Sequence, residues 1–256
     1  MFPKLFEIGP IEVYSYGFMI MLGAFFGFTY LRVASKKELG IPADKIQTLG
    51  LLIILGAFVG GKVFFYLEKP SFYFNPPANM LKNFRTGFVF YGSLLTALPL
   101  SYWYFKKERW PVWPMMDLVA ITAVIIHFCG RMGCFLAGCC YGLPSDAPWA
   151  VTFTLKSAKA KPLFEPLHPT QLYSVTLLGL ILVILLMFKR HKRFEGQLFF
   201  MYMMLYAAGR AVIEIFRGDL RRGFIIGDWL SHSQFISLLI ISAVGWMYYR
   251  FSKKAV

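Results

Sequence analysis

The stretch Leu118-Val-Ala-Ile-Thr-Ala-Val-Ile-Ile-His-Phe-Cys-Gly-Arg-Met-Gly-Cys-Phe-Leu-Ala-Gly-Cys-Cys-Tyr141 contains 24 residues and one full charge, Arg131. A helix needs about 20 mainly apolar residues to cross the hydrocarbon of a bilayer. The stretch is therefore long and apolar enough to be a membrane span. Since lipid does not solvate a charge, Arg131 is expected to face a protein interior or a wet cavity.

The whole chain has the composition of a membrane protein. Hydrophobic residues make up 57% of its 256 residues and charged residues 16%, whereas a soluble domain is roughly 45–50% apolar. No Ser-, Gly- or Pro-rich linker divides the sequence. We therefore expect one membrane domain over residues 1–256.

Six further segments have the length and apolar character of spans. With the opening stretch, the predicted set is Tyr14–Leu31, Ile46–Leu67, Phe88–Phe105, Leu118–Tyr141, Thr170–Phe188, Gln197–Phe216 and Phe235–Tyr249 with its flanks. The sequence thus predicts an all-α polytopic membrane protein with about seven transmembrane helices. Gly23-x3-Gly27 and Gly56-x3-Gly60 place small residues on one helix face, which favours close packing of helices.

The net charge of +14 comes largely from short basic clusters between apolar runs. The clusters are Arg32–Lys37, Lys106–Arg109, Lys189–Arg193 and Arg250–Lys254. Basic loops stay on the cytoplasmic side, so we expect the N-terminus outside and the C-terminus inside. Lys156, Lys159 and Lys161 in the outer segment Leu143–Pro169 oppose this only weakly. This charge pattern favours the lipid bilayer as a partner and argues against nucleic acid.

Several polar residues lie where lipid-facing side chains are expected. The segment Gly130–Gly142 contains four glycines, which weaken a helix, so a continuous helix is not expected there. Its Arg131 offers a planar fork suited to phosphate. The alternative is an arginine that extends to the membrane interface beside a helix end.

A second group is Arg210-x3-Glu214-x2-Arg217, whose spacing puts the three charges on one helical face. A carboxylate between two guanidinium groups can orient both and leave donors for an anion. A structural ion-pair ladder is the alternative explanation.

A third group, His168-Pro-Thr-Gln171-Leu-Tyr173, opens the fifth span, where Pro169 suits the first helical turn. His168 is either a structural group or a catalyst. A fourth group combines Lys62, after Gly60-Gly61, with the motif Tyr91-Gly92-Ser93. Lys62 either lines a cavity or extends outward. An anionic lipid headgroup is the simplest ligand for these groups together, and nothing in the sequence requires a cofactor.

All four cysteines lie within twelve residues, at positions 129, 134, 139 and 140, and His127 is close by. Their spacing matches none of the usual zinc patterns, so the sequence assigns no metal. Plain packing, a disulfide and a reactive thiol beside Arg131 all stay open.

In their order and spacing, these motifs make the chain resemble the phosphatidylglycerol–prolipoprotein diacylglyceryl transferases of bacterial inner membranes. The matching pieces are Ile8-Gly-Pro-Ile11, Tyr16-Gly17, Gly60-Gly61, Asp117, Gly130-Arg131-x-Gly133-x-Phe135, His168-Pro-Thr-Gln-Leu-Tyr173 and Arg210-x3-Glu214-x-Phe-Arg217. The resemblance implies seven spans, a lateral opening to lipid, and transfer of diacylglycerol from phosphatidylglycerol to a lipobox cysteine, with glycerol phosphate released. It implies no cofactor, and it implies a prolipoprotein signal segment as the partner.

The resemblance also assigns roles to residues. Arg131 and Arg210 would hold the headgroup, with Tyr16 and Glu214 in support. The candidate catalytic residues are Arg131, Arg210, Tyr91, His168 and Cys139. The candidate substrate-binding residues are Tyr16, Lys62, Gly92, Ser93, Cys134, Gln171, Tyr173, Glu214 and Arg217.

This chain differs from the family in the half of the site that would activate the thiol. Tyr91-Gly92-Ser93 occupies the positions where the family usually has His-Gly-Gly. Lys62 occupies a position where the family usually has an arginine. Cys134 and Cys139 occupy positions where the family usually has an asparagine and an acidic residue, respectively. Either Tyr91, His127 or His168 supplies the base, or the donor or acceptor differs. Two further alternatives are a covalent intermediate on Cys139 and a non-catalytic protein that binds anionic lipid.

Overall fold

The computed structural model describes residues 2–9, 11–74, 78–82, 84, 87–155, 158, 160–218, 224–226 and 230–254. Its long helices are α1 (Ser15–Leu39), α2 (Ala43–Glu68), α5 (Phe90–Lys107), α6 (Val112–Ala137), α7 (Thr170–Phe188), α8 (Gln197–Ile215) and α9 (His232–Lys254). Two short helices, α3 (Pro70–Phe74) and α4 (Ala78–Lys82), lie between α2 and α5. Pro10, Lys156 and Lys159, which the sequence analysis used, lie outside the described residues.

The helices confirm an all-α polytopic membrane protein. Within the described ranges, six helices are long and apolar enough to cross a membrane: α1, α2, α6, α7, α8 and α9. The third predicted span, Phe88–Phe105, is present as the 18-residue helix α5. It falls outside the six because its hydroxyl side chains, Tyr and Trp residues and terminal lysines lower its mean hydropathy. The outside position of the N-terminus stays a prediction.

Within the described residues, three two-stranded antiparallel sheets, absent from the sequence prediction, lie outside the long helices. They pair β1 (Lys4–Ile8) with β2 (Ile11–Tyr14), β3 (Val151–Thr152) with β4 (Pro166–Leu167), and β5 (Phe224–Ile226) with β6 (Leu230–Ser231). Their strands have two to five residues, which is too short for periodicity to reveal them.

The chain forms two compact units, residues 1–31 with 116–256 and residues 32–115. The core of the first unit joins α6, α7 and α8. Its fully buried members are Ile121, Val124, Leu178, Ile181, Leu185 and Leu198. Burying such side chains contributes about 1.5–3 kcal/mol each in water, but in a bilayer the packing itself holds the helices together. The expectation of a single domain over residues 1–256 stays a prediction.

In the same unit, Asp117 caps α8. Its buried carboxylate accepts hydrogen bonds from the backbone N–H groups of Gly196, Leu198 and Phe199, at 2.9–3.2 Å. The Nζ of Lys192 lies 3.4 Å from the same carboxylate. The first N–H groups of a helix have no intrahelical partner. A side chain of α6 therefore supplies the cap that α8 lacks in its own sequence.

Glycines let α1 approach α6 within this unit, as the small-residue motif predicts. A Cβ atom added at Gly23 would lie 2.8 Å from the Cβ of Cys129, and one at Gly27 would lie 2.9 Å from Ile126. These distances are shorter than van der Waals contact. Only glycine permits this separation of the two helices.

The second unit pairs α2 with α5. A Cβ atom at Gly60 would overlap the side chain of Thr96, and one at Gly92 would lie 2.5 Å from the carbonyl oxygen of Gly60. Thr96 donates a hydrogen bond of 2.7 Å to the carbonyl of Gly56. The motif Gly56-x3-Gly60 therefore serves close packing here.

Candidate active site

Helix α6 carries the central residue of the site. It continues without interruption through Gly130 and Gly133 to Ala137, so the expectation of a broken helix is wrong for these residues. At Gly138, with φ +67°, the helix has ended, as the glycines of the segment Gly130–Gly142 predict. Within the helix the glycines serve the approach of α1 instead: a Cβ at Gly133 would lie 3.1 Å from the Cα of Tyr16. The helix thus keeps His127 and Arg131 one turn apart on one face.

The guanidinium of Arg131 is held by two side chains. Its Nε donates to Nε2 of His127 at 3.4 Å, and its Nη2 donates to the hydroxyl of Tyr206 at 3.3 Å. Nδ1 of His127 lies 3.3 Å from the hydroxyl of Tyr202. Since arginine has no acceptor, Nε2 of His127 is the acceptor and Nδ1 carries the proton. The lone pair of His127 is therefore already engaged.

Arg210 approaches the same place from α8. It forms an ion pair with Glu214, one turn further on, and both side chains are about nine-tenths buried. The charges of Arg131 and Arg210 both act on the imidazole of His127. We call Arg131, Arg210 and their partners His127, Tyr206 and Glu214 the arginine site. Two guanidinium groups held by side chains among apolar helices have the charge and the donors that suit an anion.

Beyond the end of α6, the chain reverses and brings three cysteines together. Gly138 has φ +67° and Cys140 has φ +64°, and the N–H of Cys139 donates to the carbonyl of Cys134 at 3.1 Å. The sulfur atoms of Cys134, Cys139 and Cys140 all lie within 4.8 Å of one another. We call these three residues the cysteine cluster. None of the chain's four cysteines is in a disulfide.

The thiol of Cys140 lies outside the membrane-spanning segments. Hydrogen bonds from Cys134 and Cys139 hold the pKa of the Cys140 thiol below its usual value. The positive charges of Arg217 and Arg131 act in the same direction. A lowered pKa raises the fraction of Cys140 that is present as the thiolate.

The first turn of α7 fixes the backbone of this cluster. Thr170 donates from Oγ1 to the carbonyl of Cys140 at 2.7 Å, and Gln171 donates from Nε2 to the carbonyl of Cys139 at 2.8 Å. Gln171 is 1% exposed, and its Oε1 accepts no hydrogen bond from the part of the chain that the structure describes. Gln171 thus supports the backbone of the cluster through its Nε2, and its Oε1 can accept a further hydrogen bond.

His168 and Tyr173 belong to an aromatic group at the start of α7. The hydroxyl of Tyr173 accepts from Nε1 of Trp149 at 2.7 Å and lies 2.9 Å from Nδ1 of His168. Both rings pack edge-on against Phe216. The backbone of His168 also pairs with Gly142 and Leu143, at 2.9 Å each. This setting holds the loops around the site in place.

Tyr16 reaches the arginine site from the start of α1. A Cβ atom added at Gly133 would lie 3.3 Å from the ring of Tyr16, which places this ring against the turn of α6 between Arg131 and Cys134. The residue is 47% exposed. Of the sequence-predicted site residues, the structure therefore brings together those of the first unit: Arg131, Arg210, Glu214, Arg217, Cys134, Cys139, Gln171 and Tyr16, with His168 and Tyr173 in the adjoining loops.

The remaining candidates lie in the second unit. Lys62 is buried and donates to the carbonyls of Phe84 and Gly87, at 2.6 and 2.9 Å. Gly92 and Ser93 are buried in the pairing of α2 with α5, whereas Tyr91 is 68% exposed. Lys62 therefore anchors the chain between α2 and α5, and Tyr91 presents its phenol at the surface of this unit.

The sequence did not identify three residues that support the site: Tyr202, Tyr206 and Thr170. Tyr202 and Tyr206 continue the four-residue spacing of Arg210 and Glu214 toward the start of α8, a signal that was available. Thr170 had no such signal, because its role depends on the chain reversal before it.

A family model described as prolipoprotein diacylglyceryl transferase matches residues 3–250. The chain is 38% identical to the phosphatidylglycerol–prolipoprotein diacylglyceryl transferase of Clostridium tetani, over 93% of each chain. It is 32% identical to transferase 2 of Clostridium perfringens, over 92% of this chain and 90% of the relative. It is 31% identical to the transferase of Bordetella avium, over 93% and 92%. With its spans, its arginine site and these matches, the chain belongs to the prolipoprotein diacylglyceryl transferase family.

Proposed function

We propose that this protein transfers the diacylglyceryl group of phosphatidylglycerol to the lipobox cysteine in the signal segment of prolipoproteins, as a multi-pass enzyme of the bacterial inner membrane. The single observation that carries the proposal is the arginine site, where two guanidinium groups are fixed among apolar helices. The names of the relatives supply the donor and the acceptor.

The reaction is a substitution at carbon. The acceptor thiol loses its proton, its sulfur attacks the glycerol carbon of the donor, and the C–O bond to phosphate breaks. Glycerol phosphate leaves with the electron pair, and a thioether forms. Negative charge grows on the departing phosphate, so Arg131 and Arg210 stabilise the transition state as well as the bound lipid. Glu214 orients Arg210, and Tyr206 orients Arg131.

The thiol needs a base or an activator, and His127 is not positioned as one. Its Nε2 already accepts from Arg131. Nδ1 of His168 lies 2.9 Å from the hydroxyl of Tyr173, and His168 stays a prediction as base. Tyr91 stays a prediction as base, and Lys62, Gly92 and Ser93 stay predictions as substrate-binding residues.

Full-length protein in detergent, given phosphatidylglycerol and a lipobox peptide, tests the proposal. Mass spectrometry is expected to show diacylglyceryl peptide and glycerol phosphate in equal amounts. Arg131→Ala and Arg210→Ala are each expected to lower kcat/KM by about a hundredfold or more, since removal of one oxyanion donor costs about 10²–10³.

Arg250→Ala, at an exposed arginine near the end of α9, is the matched control and keeps activity. Tight binding of anionic lipid without product by the folded wild type contradicts the proposal and favours a lipid-binding protein. Product from another donor or acceptor favours the divergent alternative.

A further inference from the structure

The cysteine cluster has no part in the reaction as described so far. It combines the thiol of Cys134, in the last helical turn of α6, with the thiols of the adjacent residues Cys139 and Cys140 after the helix. Its sequence spacing, C-x4-C-C, matches no usual zinc pattern. The chain reversal at Gly138 nevertheless brings all three sulfur atoms within 4.8 Å of one another.

The backbone of the cluster is built to hold this arrangement. A left-handed φ costs an L residue roughly 1–2 kcal/mol, and Cys140 adopts one at +64°. Thr170 and Gln171 fix the two carbonyls of the Cys139-Cys140 pair. Such strain persists where the surroundings determine it, and it clusters at functional sites.

The sulfur positions fit a thiophilic metal ion. Zn–S bonds of about 2.3 Å in a tetrahedron place the sulfurs about 3.8 Å apart. The cluster, with all separations at or below 4.8 Å, needs a contraction of at most about 1 Å. Three thiolates without a nitrogen or carboxylate ligand select Zn²⁺ or Cu⁺ over hard cations.

The surrounding charges suit such a centre. Three thiolates and one Zn²⁺ carry a net charge of −1, and a fourth thiolate makes it −2. The positive charges of Arg131 and Arg217 act on Cys140. Cations beside a negative centre offset the cost of placing it at the edge of the apolar region.

We propose that the cysteine cluster binds one Zn²⁺ through three thiolates and that the fourth position takes the thiol of the acceptor cysteine. This rests on the proposed function. Within the described residues, the group of candidate ligands contains these three side chains and no fourth. Three protein ligands with one open position are the arrangement of catalytic zinc sites.

Coordination would promote the loss of the proton from the acceptor thiol, a step for which a side-chain base is the alternative. A thiol bound to zinc loses its proton, which passes to solvent, and stays nucleophilic as the thiolate. Its sulfur forms the C–S bond as the C–O bond to phosphate breaks. The thioether product is a neutral and weaker ligand, so it leaves the metal. The cluster lies beside Arg131, which holds the departing phosphate.

The first measurement is the metal content of purified full-length protein, by mass spectrometry of the elements. We expect about one zinc per chain in the wild type. Cys134→Ser, Cys139→Ser and Cys140→Ser are each expected to lower this by tenfold or more. Cys129→Ser is the matched control, because Cys129 lies on the same helix outside the cluster, and it keeps the metal.

The second measurement uses protein reloaded with Co²⁺, whose absorption reports its ligands. A sulfur-to-cobalt charge-transfer band is expected in the wild type and in Cys129→Ser. A lipobox peptide with its cysteine is expected to shift the cobalt bands without any lipid donor. The same peptide with serine in place of cysteine leaves them unchanged.

The outcomes separate this inference from the proposed function. Thioether formation by zinc-free wild type, or by cluster variants at full rate, overturns the zinc site and leaves the transferase intact. If the wild type contains no metal and has two titratable thiols fewer than its cysteine count, the cluster forms a disulfide, and this result also overturns the zinc site. If the cysteine-containing peptide does not change the cobalt spectrum, the acceptor thiol does not bind the metal, and that part of the proposal is wrong. Zinc binding and a peptide-dependent shift without any thioether contradict the proposed function alone. Circular dichroism checks that the variants are folded.

Discussion

At the scale of single residues, Arg131 depends for its geometry on one partner from its own helix α6 and one from α8. One donor direction is taken by His127 and another by Tyr206. A guanidinium that is free to rotate has to be ordered when the phosphate binds, and that ordering costs affinity. Preorganised donors avoid this cost at the moment of reaction.

Tyr206→Phe is therefore expected to lower kcat/KM for phosphatidylglycerol by about tenfold, since a hydrogen bond to a charged group contributes about 1.5–3 kcal/mol. Tyr202→Phe is the control, because Tyr202 touches His127 rather than Arg131, and a smaller loss is expected. Steady-state kinetics with both variants measures this. Equal losses, or an equal fall in thermal stability in both, contradict the positioning role of Tyr206.

Some of these residues were open to prediction from sequence and others were not. Arg131 and Arg210 are prominent because a charge in an apolar run is costly and therefore rarely incidental. The cysteine cluster was not predictable as a unit. Its geometry depends on the positive φ of Gly138 and Cys140, and linear spacing contains no such information.

At the scale of helices and strands, the capping of α8 by Asp117 is the clearest link between two helices. Three backbone N–H groups share one buried carboxylate. Asp117→Ala leaves these three N–H donors without a partner. It also removes one of the two carboxylates that lie near Lys192. We expect the free energy of unfolding to fall by about 3 kcal/mol.

Thermal unfolding of the detergent-solubilised protein measures this loss. Asp117→Asn, which keeps one acceptor, is expected to lose less than Asp117→Ala. Lys192→Met leaves the cap in place and is expected to lose least, because a partly exposed ion pair contributes little. A larger loss for Lys192→Met than for Asp117→Ala contradicts the capping role.

Helix bounds were predicted well where the sequence marks them. The span predicted as Thr170–Phe188 is α7 itself, because Pro169 precedes it and Lys189 follows. α6 begins six residues before Leu118, since polar Asp117 is satisfied inside the helix packing rather than by water. The two-stranded sheets escaped prediction because their strands are too short for a periodic signal.

At the scale of the whole molecule, the charge clusters predict one orientation in the bilayer. Basic last turns close α1, α5 and α9, and Lys189–Arg193 follows α7. Cytoplasmic placement of these clusters puts the C-terminus inside and the segment Leu143–Pro169 outside.

Reporter fusions in a bacterial host test this orientation. A fluorescent protein fused after Val256 is expected to fluoresce, because it folds in the cytoplasm. An alkaline phosphatase fused after Pro148 is expected to be active, because it needs the oxidising outer side. The phosphatase moved to Val256 serves as the control and is expected to be inactive. The reverse pattern of activities contradicts the orientation.

The cap on α8 also has a consequence for biosynthesis. The backbone donors that Asp117 holds come 79–82 residues later in the chain. At about 5–20 residues per second, the ribosome reaches them roughly 4–16 s after Asp117 is made. During that interval α6 is already available to the insertion machinery with a carboxylate that still lacks its backbone donors. The carboxylate lies near the helix end that the charge pattern predicts to be cytoplasmic, where headgroups and water can solvate it. The synthesis of α8 supplies the missing donors, so the cap forms only after Phe199 has been translated.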